Sequence, residues 1–121
     1  MRLILTSPPR ALSPNRKQNL HHFTRSRLVR DYRGLIKVEA LVGLGAEERP
    51  RWKAAQVWVR IYHPRQSYFL DPDNALAWLK PTFDGLQDAG IFADDRELTH
   101  FPVVQRADKV RAGTLELSIL Q

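Results

Sequence analysis

A chain of 121 residues that is 43% hydrophobic and 26% charged suits one soluble globular domain, large enough to bury roughly two-thirds of the surface it exposes when unfolded. It has no cysteine, which excludes disulfides, thiolate zinc sites and a cysteine nucleophile. No apolar run approaches the ~20 residues needed to cross a bilayer, and Pro8, Pro9 and Arg10 follow Met1–Thr6 too closely for a signal peptide, so a cytoplasmic protein with no membrane partner is expected.

The formal net charge of +6 is unevenly spread. Residues 1–37 hold nine Lys and Arg and one acid, Asp31, a net +8 that leaves −2 for residues 38–121. A polyanion is the natural partner for such an N-terminal third, because phosphate contacts supply most of the sequence-independent affinity for nucleic acid.

Arg2–Thr6 reads as a short strand that Pro8 and Pro9 terminate. Residues 8–19 read as a loop of turn formers, whose Arg10, Arg16 and Lys17 either track a phosphate backbone or face water. His21 and His22, as helix neighbours, would diverge by about 100°, which argues against a shared metal. Thr24 is placed to cap a helix running to about Val42, with Leu28, Tyr32, Leu35 and Val42 on its apolar face and Arg30, Arg33 and Lys37 opposite. Gly43 and Gly45 end it.

Lys53–Tyr62 is the clearest strand. Ala55, Val57, Val59 and Ile61 line one face; Gln56, Trp58, Arg60 and Tyr62 line the other, which either stacks on unpaired bases or packs beneath a helix. Leu98–Arg106 reads as a strand with Pro102 at an edge or bulge, and Thr114–Leu120 as a terminal strand. The order β-α-β-α-β-β describes an α+β fold, a small mixed β-sheet of about four strands with two helices, forming a single domain over residues 1–121.

Leu70–Asp95 carries the candidate chemistry. Pro72 favours extended backbone at Asp71, which would point Asp71 and Asp73 the same way, with Asp73 or Asn74 as N-cap of the helix that follows. Leu76, Leu79, Phe83 and Leu86 mark its buried stripe. At about 100° per residue, Lys80 and Asp84 fall near the direction of Asp73, and Pro81 kinks or restarts the helix. Gly90 ends it, and a short apolar link leads to Asp94-Asp95. Three or four carboxylates without cysteine suit a hard cation, Mg²⁺ or Mn²⁺, able to serve phosphodiester hydrolysis with Lys80 on the phosphate. The same spacing equally fits helix-capping aspartates and a solvated lysine.

The combination Asp71-Pro72-Asp73-Asn74, Lys80-Pro81, Phe83-Asp84-Gly85-Leu86, Asp88-Ala89-Gly90 and Asp94-Asp95 resembles the RusA family of Holliday-junction resolvases. The likeness extends to Pro8-Pro9 and Leu12-Ser13-Pro14-Asn15, to Val103-Val104 and to Leu115-Glu116-Leu117, so it spans nearly the whole chain. It implies a homodimeric, Mg²⁺-dependent crossover junction endodeoxyribonuclease of a bacterial or phage-infected cell, with Mn²⁺ as a substitute, which resolves four-way DNA junctions by paired symmetric nicks. By this resemblance Asp71, Asp73 and Asp95 are the metal ligands and Lys80 the fourth catalytic residue. Asn74, Asp84 and Asp94 stand around them, and Arg10, Arg16, Lys17, Arg25, Arg27, Arg30 and Arg65 bind DNA. A non-catalytic branched-DNA binder and a nuclease of broader branched-DNA specificity are the competing readings. Three positions depart from the family pattern. Lys80 stands about one helical turn later, Tyr68-Phe69-Leu70 replace arginines before Asp71, and Gln105 stands where a lysine is expected.

Overall fold

The structure, a computed structural model, describes residues 1–94 and 96–121, with the Lys17 side chain outside that description. Strand β1 (Arg2–Thr6) leads through a 3₁₀ turn (Arg10–Leu12) and the short helix α1 (Pro14–Lys17) into the long helix α2 (His22–Leu44). Strand β2 (Ala55–His63), a second 3₁₀ turn (Gln66–Tyr68), helices α3 (Pro72–Trp78) and α4 (Lys80–Asp88), and strands β3 (Leu98–His100), β4 (Val104–Ala107) and β5 (Thr114–Leu120) complete it.

The sheet is mixed and five-stranded, ordered β1-β5-β2-β3, with β4 continuing along the same side of β2 as β3. β5 lies antiparallel to both β1 and β2, whereas β3 and β4 run parallel to β2. Parallel neighbours need a crossover, and α3–α4 supplies it between β2 and β3. The α+β fold with a mixed sheet expected from the sequence is therefore present.

Strand alternation holds closely. Leu3 and Leu5, Val57, Val59 and Ile61, and Leu115, Leu117 and Ile119 are all buried on one sheet face. They share one core with Tyr32, Ile36 and Ala40 of α2 and with Leu79, Phe83 and Leu86 of the α3–α4 segment, so the helices cover this face alone. On the other face Trp58 stacks on Phe101 with ring centroids 4.4 Å apart, and Arg111 lies over the Tyr62 ring. No described helix covers that aromatic face.

Several expected boundaries shift. The proline-rich loop over residues 8–19 contains the 3₁₀ turn and α1, because Pro14 suits the first turn of a helix. Helix α2 begins at His22, not after Thr24. His21 caps it, its Nδ1 accepting from the Phe23 N–H, and the His21 and His22 rings stack at 4.5 Å instead of diverging. The buried face of α2 is Tyr32, Ile36, Ala40 and Leu44, while Leu35 and Val42 are 42% and 75% exposed. The expected strand over Leu98–Arg106 is two short strands, β3 and β4, separated at Phe101–Val103. Gly45 ends α2 with φ 64°, a left-handed conformation that glycine adopts without strain.

Helices α2 and α4 meet closely at Gly85. A Cβ placed there would lie 2.8 Å from two Ile36 side-chain atoms and 3.0 Å from the Arg33 carbonyl oxygen. Arg33 adds a two-pronged ion pair to Asp88, at 3.0 and 3.1 Å, one turn further along α4. Gly85→Ala would normally stabilise a helix by up to about 1 kcal/mol. Here the overpacking term, about 1–3 kcal/mol, exceeds that gain. Urea denaturation is expected to show a net loss of stability of about 1–2 kcal/mol.

Candidate active site

The site is built at the carboxyl end of β2. After His63 the chain passes through the Gln66–Tyr68 turn to Leu70, which enters α3 at Asp71. Gln105, on the neighbouring parallel strand β4, ties that approach down. Its Oε1 accepts from the Leu70 N–H at 2.8 Å, and its Nε2 donates to the Leu70 carbonyl at 2.7 Å. These two bonds fix the orientation of the amide, so Oε1 also faces His63 Nε2 at 2.9 Å. His63 Nε2 must then carry a proton, which leaves Nδ1 an acceptor on the neutral ring.

Burial lowers the His63 pKa from its ordinary 6.5; the bond to Gln105 opposes this and the positive charge of Arg10 adds to it. The unfolded chain therefore binds this proton more readily than the folded one. Its contribution to stability is present above about pH 6.5 and is lost as pH falls from there through the lower folded pKa. Urea midpoints measured between pH 7.5 and 5, on either side of the free histidine pKa of ~6.5, are expected to fall with pH. The slope should shrink in His63→Gln.

Asp71 is the N-cap of α3, with φ −59° and ψ 150°, and Pro72 occupies its first turn. The sequence reading put the cap at Asp73 or Asn74. Pro72 decides otherwise, because it disfavours αR backbone at Asp71 while its own φ suits the first helical position. Asp73 therefore lies in the first turn of α3, not in an extended segment. Both carboxylates are exposed, and neither makes a hydrogen bond or ion pair among the described residues. Asn74 follows, half-buried.

The helix breaks at Leu79 and restarts at Lys80, so the phase that would align Lys80 with Asp73 on one continuous helix does not apply. Pro81 falls in the first turn of α4, where its missing N–H costs little. The buried side also differs from expectation: Leu76 is 39% exposed and Trp78 takes its place. Lys80 Nζ donates to Asp84 Oδ1 at 2.8 Å, one turn along α4. Asp94 accepts from both the backbone and the side chain of Arg96, at 2.8 Å each. Phe92 bridges Trp52 and Leu98 pairs with Ala55, so Asp94 comes in beside the start of β2, opposite the end that carries Asp71. Asp95 lies outside the described residues, and so does any contact it makes. Among the described residues no three His, Asp or Glu side chains group around a potential metal position.

Of the basic residues, Arg10 and Arg16 converge on a cavity of about 300 Å³ between the N-terminal segment and the β2–α3 loop, which also opens on His63, Tyr68 and Trp78. The Arg10 guanidinium lies 3.8 Å from the centre of the Tyr68 ring. Trp78 Nε1 donates to the Pro9 carbonyl at 3.0 Å, which joins the N-terminal segment to α3. Arg25 and Arg30 instead line a groove along α2 with Arg33 and Asp88. Arg25 donates to the Leu20 carbonyl, and Arg30 pairs with its neighbour Asp31. Arg27 is exposed on α2, Arg65 is exposed before the second 3₁₀ turn, and the Lys17 side chain lies outside the description. The clamp of Gln105 and the acceptor of His63 were not identified from sequence; the only signal was a glutamine where the resemblance expects a lysine.

No family model matches the sequence. A protein of Xylella fastidiosa (strain Temecula1 / ATCC 700964), described as an uncharacterized protein, is 34% identical over 119 residues, covering 97% of this chain and 74% of its own length. This chain belongs to the same family. The Xylella relative extends the family beyond one sequence, and its description assigns neither a substrate nor a reaction. No helix of the described chain is long and apolar enough to cross a membrane.

Proposed function

We propose that the protein is a RusA-like, Mg²⁺-dependent endonuclease that resolves four-way DNA junctions by paired nicks and acts as a homodimer. The observation that carries this reading is the pair Asp71 and Asp73, two exposed carboxylates with no hydrogen bond or ion pair among the described residues, at the start of α3 and beside a cavity that holds two arginines. Oxygen donors of this kind fit Mg²⁺ or Mn²⁺ and not a thiophilic metal. Bound there, such an ion supplies an activated water and stabilises charge on the phosphodiester.

In this reading Asp71 and Asp73 are the first two ligands; Asp95 is the third by the family resemblance alone, since its neighbour Asp94 lies at the opposite end of β2 from Asp71. Lys80, at the joint between α3 and α4, contacts the scissile phosphate, with Asp84 orienting its ammonium group through the 2.8 Å bond. Asn74 and Asp94 support the two acidic segments. Arg10, Arg16, Lys17, Arg25, Arg27, Arg30 and Arg65 hold the DNA backbone, each phosphate contact adding affinity that falls with salt. A dimer brings two such sites to two opposed strands, which matches the two-fold symmetry of a four-way junction.

The test incubates the protein with a four-way junction and with linear duplex, in Mg²⁺, in Mn²⁺ and in EDTA. Paired nicks in the junction alone, dependent on the cation, are expected. Equal cutting of linear duplex replaces junction selectivity with a broader nuclease. Junction binding without cutting in either cation replaces the enzyme with a binding protein.

A further inference from the structure

The cavity at the carboxyl end of β2 carries more than phosphate chemistry. Arg10 and Arg16 both line it, and guanidinium groups are suited to binding phosphate oxygens in pairs. A bare anion would use those two side chains alone. The remaining wall contains the Tyr68 ring, already stacked under Arg10 at 3.8 Å, and the His63 imidazole, which lies parallel to Trp78 within 17°. The Gln105 amide holds the proton on His63 Nε2, which leaves Nδ1 the acceptor of a largely buried ring at the wall of the cavity. Asn15 adds a side chain that both donates and accepts. Phosphate-binding cations, ring faces and hydrogen-bonding edges within about 300 Å³ are the three contacts that an unstacked nucleotide requires. A base pair inside a duplex offers no free ring face and cannot enter.

We propose that this cavity binds one unpaired nucleotide of a nucleic-acid strand, with its phosphate on Arg10 and Arg16 and its base against the Tyr68 ring. The proposal deepens the nuclease reading by naming what the site recognises next to Asp71, and it takes its choice of a nucleic-acid ligand from that reading. Binding at the cavity requires no metal. At a branch point, where bases unstack most readily, the cavity selects the strand whose backbone then passes the carboxylates.

The probe is a single-stranded deoxyoligonucleotide containing 2-aminopurine, titrated in EDTA against the full chain, with the same strand in blunt duplex as comparison. A saturable change in 2-aminopurine emission is expected with the single strand and not with the duplex. Tyr68→Ala is expected to weaken single-strand binding by about 5- to 100-fold, the range that base–aromatic stacking commands, and Tyr68→Phe to keep it. Arg16→Ala should flatten the dependence of log affinity on log salt by about 0.7, one single-strand phosphate contact. Far-UV circular dichroism of each variant confirms that it is folded.

Equal affinity for single strand and duplex, no saturable signal, or unchanged affinity in both Tyr68→Ala and Arg16→Ala would overturn the proposal. Cleavage of a four-way junction in Mg²⁺, measured on the same preparations, separates the two readings. Cutting without cavity-dependent binding removes the nucleotide site and leaves the endonuclease. Cavity-dependent binding without cutting removes the endonuclease and leaves the nucleotide site.

Discussion

Asp73→Asn is expected to lower the Mg²⁺-dependent rate of junction cleavage by on the order of 10²–10³-fold, the scale on which loss of one preorganised charge-stabilising group is felt. Junction affinity in EDTA should be unchanged or slightly higher. The reason is electrostatic: without the metal, an exposed carboxylate beside bound phosphate is a like charge, and neutralising it removes repulsion. The substitution is also mild for the fold. Asp73 is exposed in the first turn of α3, so its charge is worth only about 0.3–1 kcal/mol through the helix dipole. A folded variant that binds the junction and no longer cuts it assigns the carboxylate to the reaction. Cutting at the wild-type rate removes Asp73 from the metal site. Asp95→Asn, assayed in parallel, tests the third ligand separately.

The parts of the fold that could be read from sequence are those where period and burial coincide. β5 alternates throughout and β2 does so as far as Ile61, after which Tyr62 and His63 are buried as well. Helix α2 was harder because two apolar stripes run along it, one through Tyr32, Ile36 and Ala40 and another through Leu35, Val38 and Val42. Periodicity alone does not choose between them. Close packing does. The buried stripe includes the small Ala40 and sits beside Gly43, where a Cβ would come within 3.0 Å of Leu3, so this face can approach β1. Glu39 lies next to that stripe, and its carboxylate accepts from both the Thr6 N–H and the Thr6 hydroxyl. This charge on the helix is a tether to the sheet edge.

The candidate site was legible where chemistry is local in sequence and illegible where it depends on tertiary contact. Asp71-Pro72-Asp73 announces an acidic helix start, although the cap is Asp71 and Asp73 lies in the first turn of the helix and not in extended backbone. The direction of Lys80 required one unbroken helix from Asp73 onward. Pro81 ended that premise by starting α4 afresh, with the lysine turned to Asp84. The cavity joins residues 10–16, 63–70 and 78, and no local pattern relates these segments.

Gln105→Met is the corresponding test of what sequence did not show. The substitution keeps length and volume and removes every polar contact the amide makes. It leaves the Leu70 N–H, the Leu70 carbonyl and His63 Nε2 without their partner. Each unsatisfied group costs about 1–3 kcal/mol when water is excluded, and less where water enters. Leu70 is half-buried, so a total loss of about 1–3 kcal/mol in urea denaturation is expected. The larger effect falls on cleavage. Leu70 is bonded through both its backbone groups, and Asp71 is the next residue, so the clamp sets where the first carboxylate stands. Displacement by about 1 Å at a reacting centre costs up to ~10²-fold in rate, and a loss of this size is expected at saturating Mg²⁺. A positioning role also raises the Mg²⁺ concentration needed for half-maximal cleavage, which a general loss of stability does not do at a temperature where the variant is fully folded. A variant that is destabilised as expected, yet cuts with wild-type rate and Mg²⁺ dependence, would show that α3 alone places Asp71 and that the clamp serves only the fold.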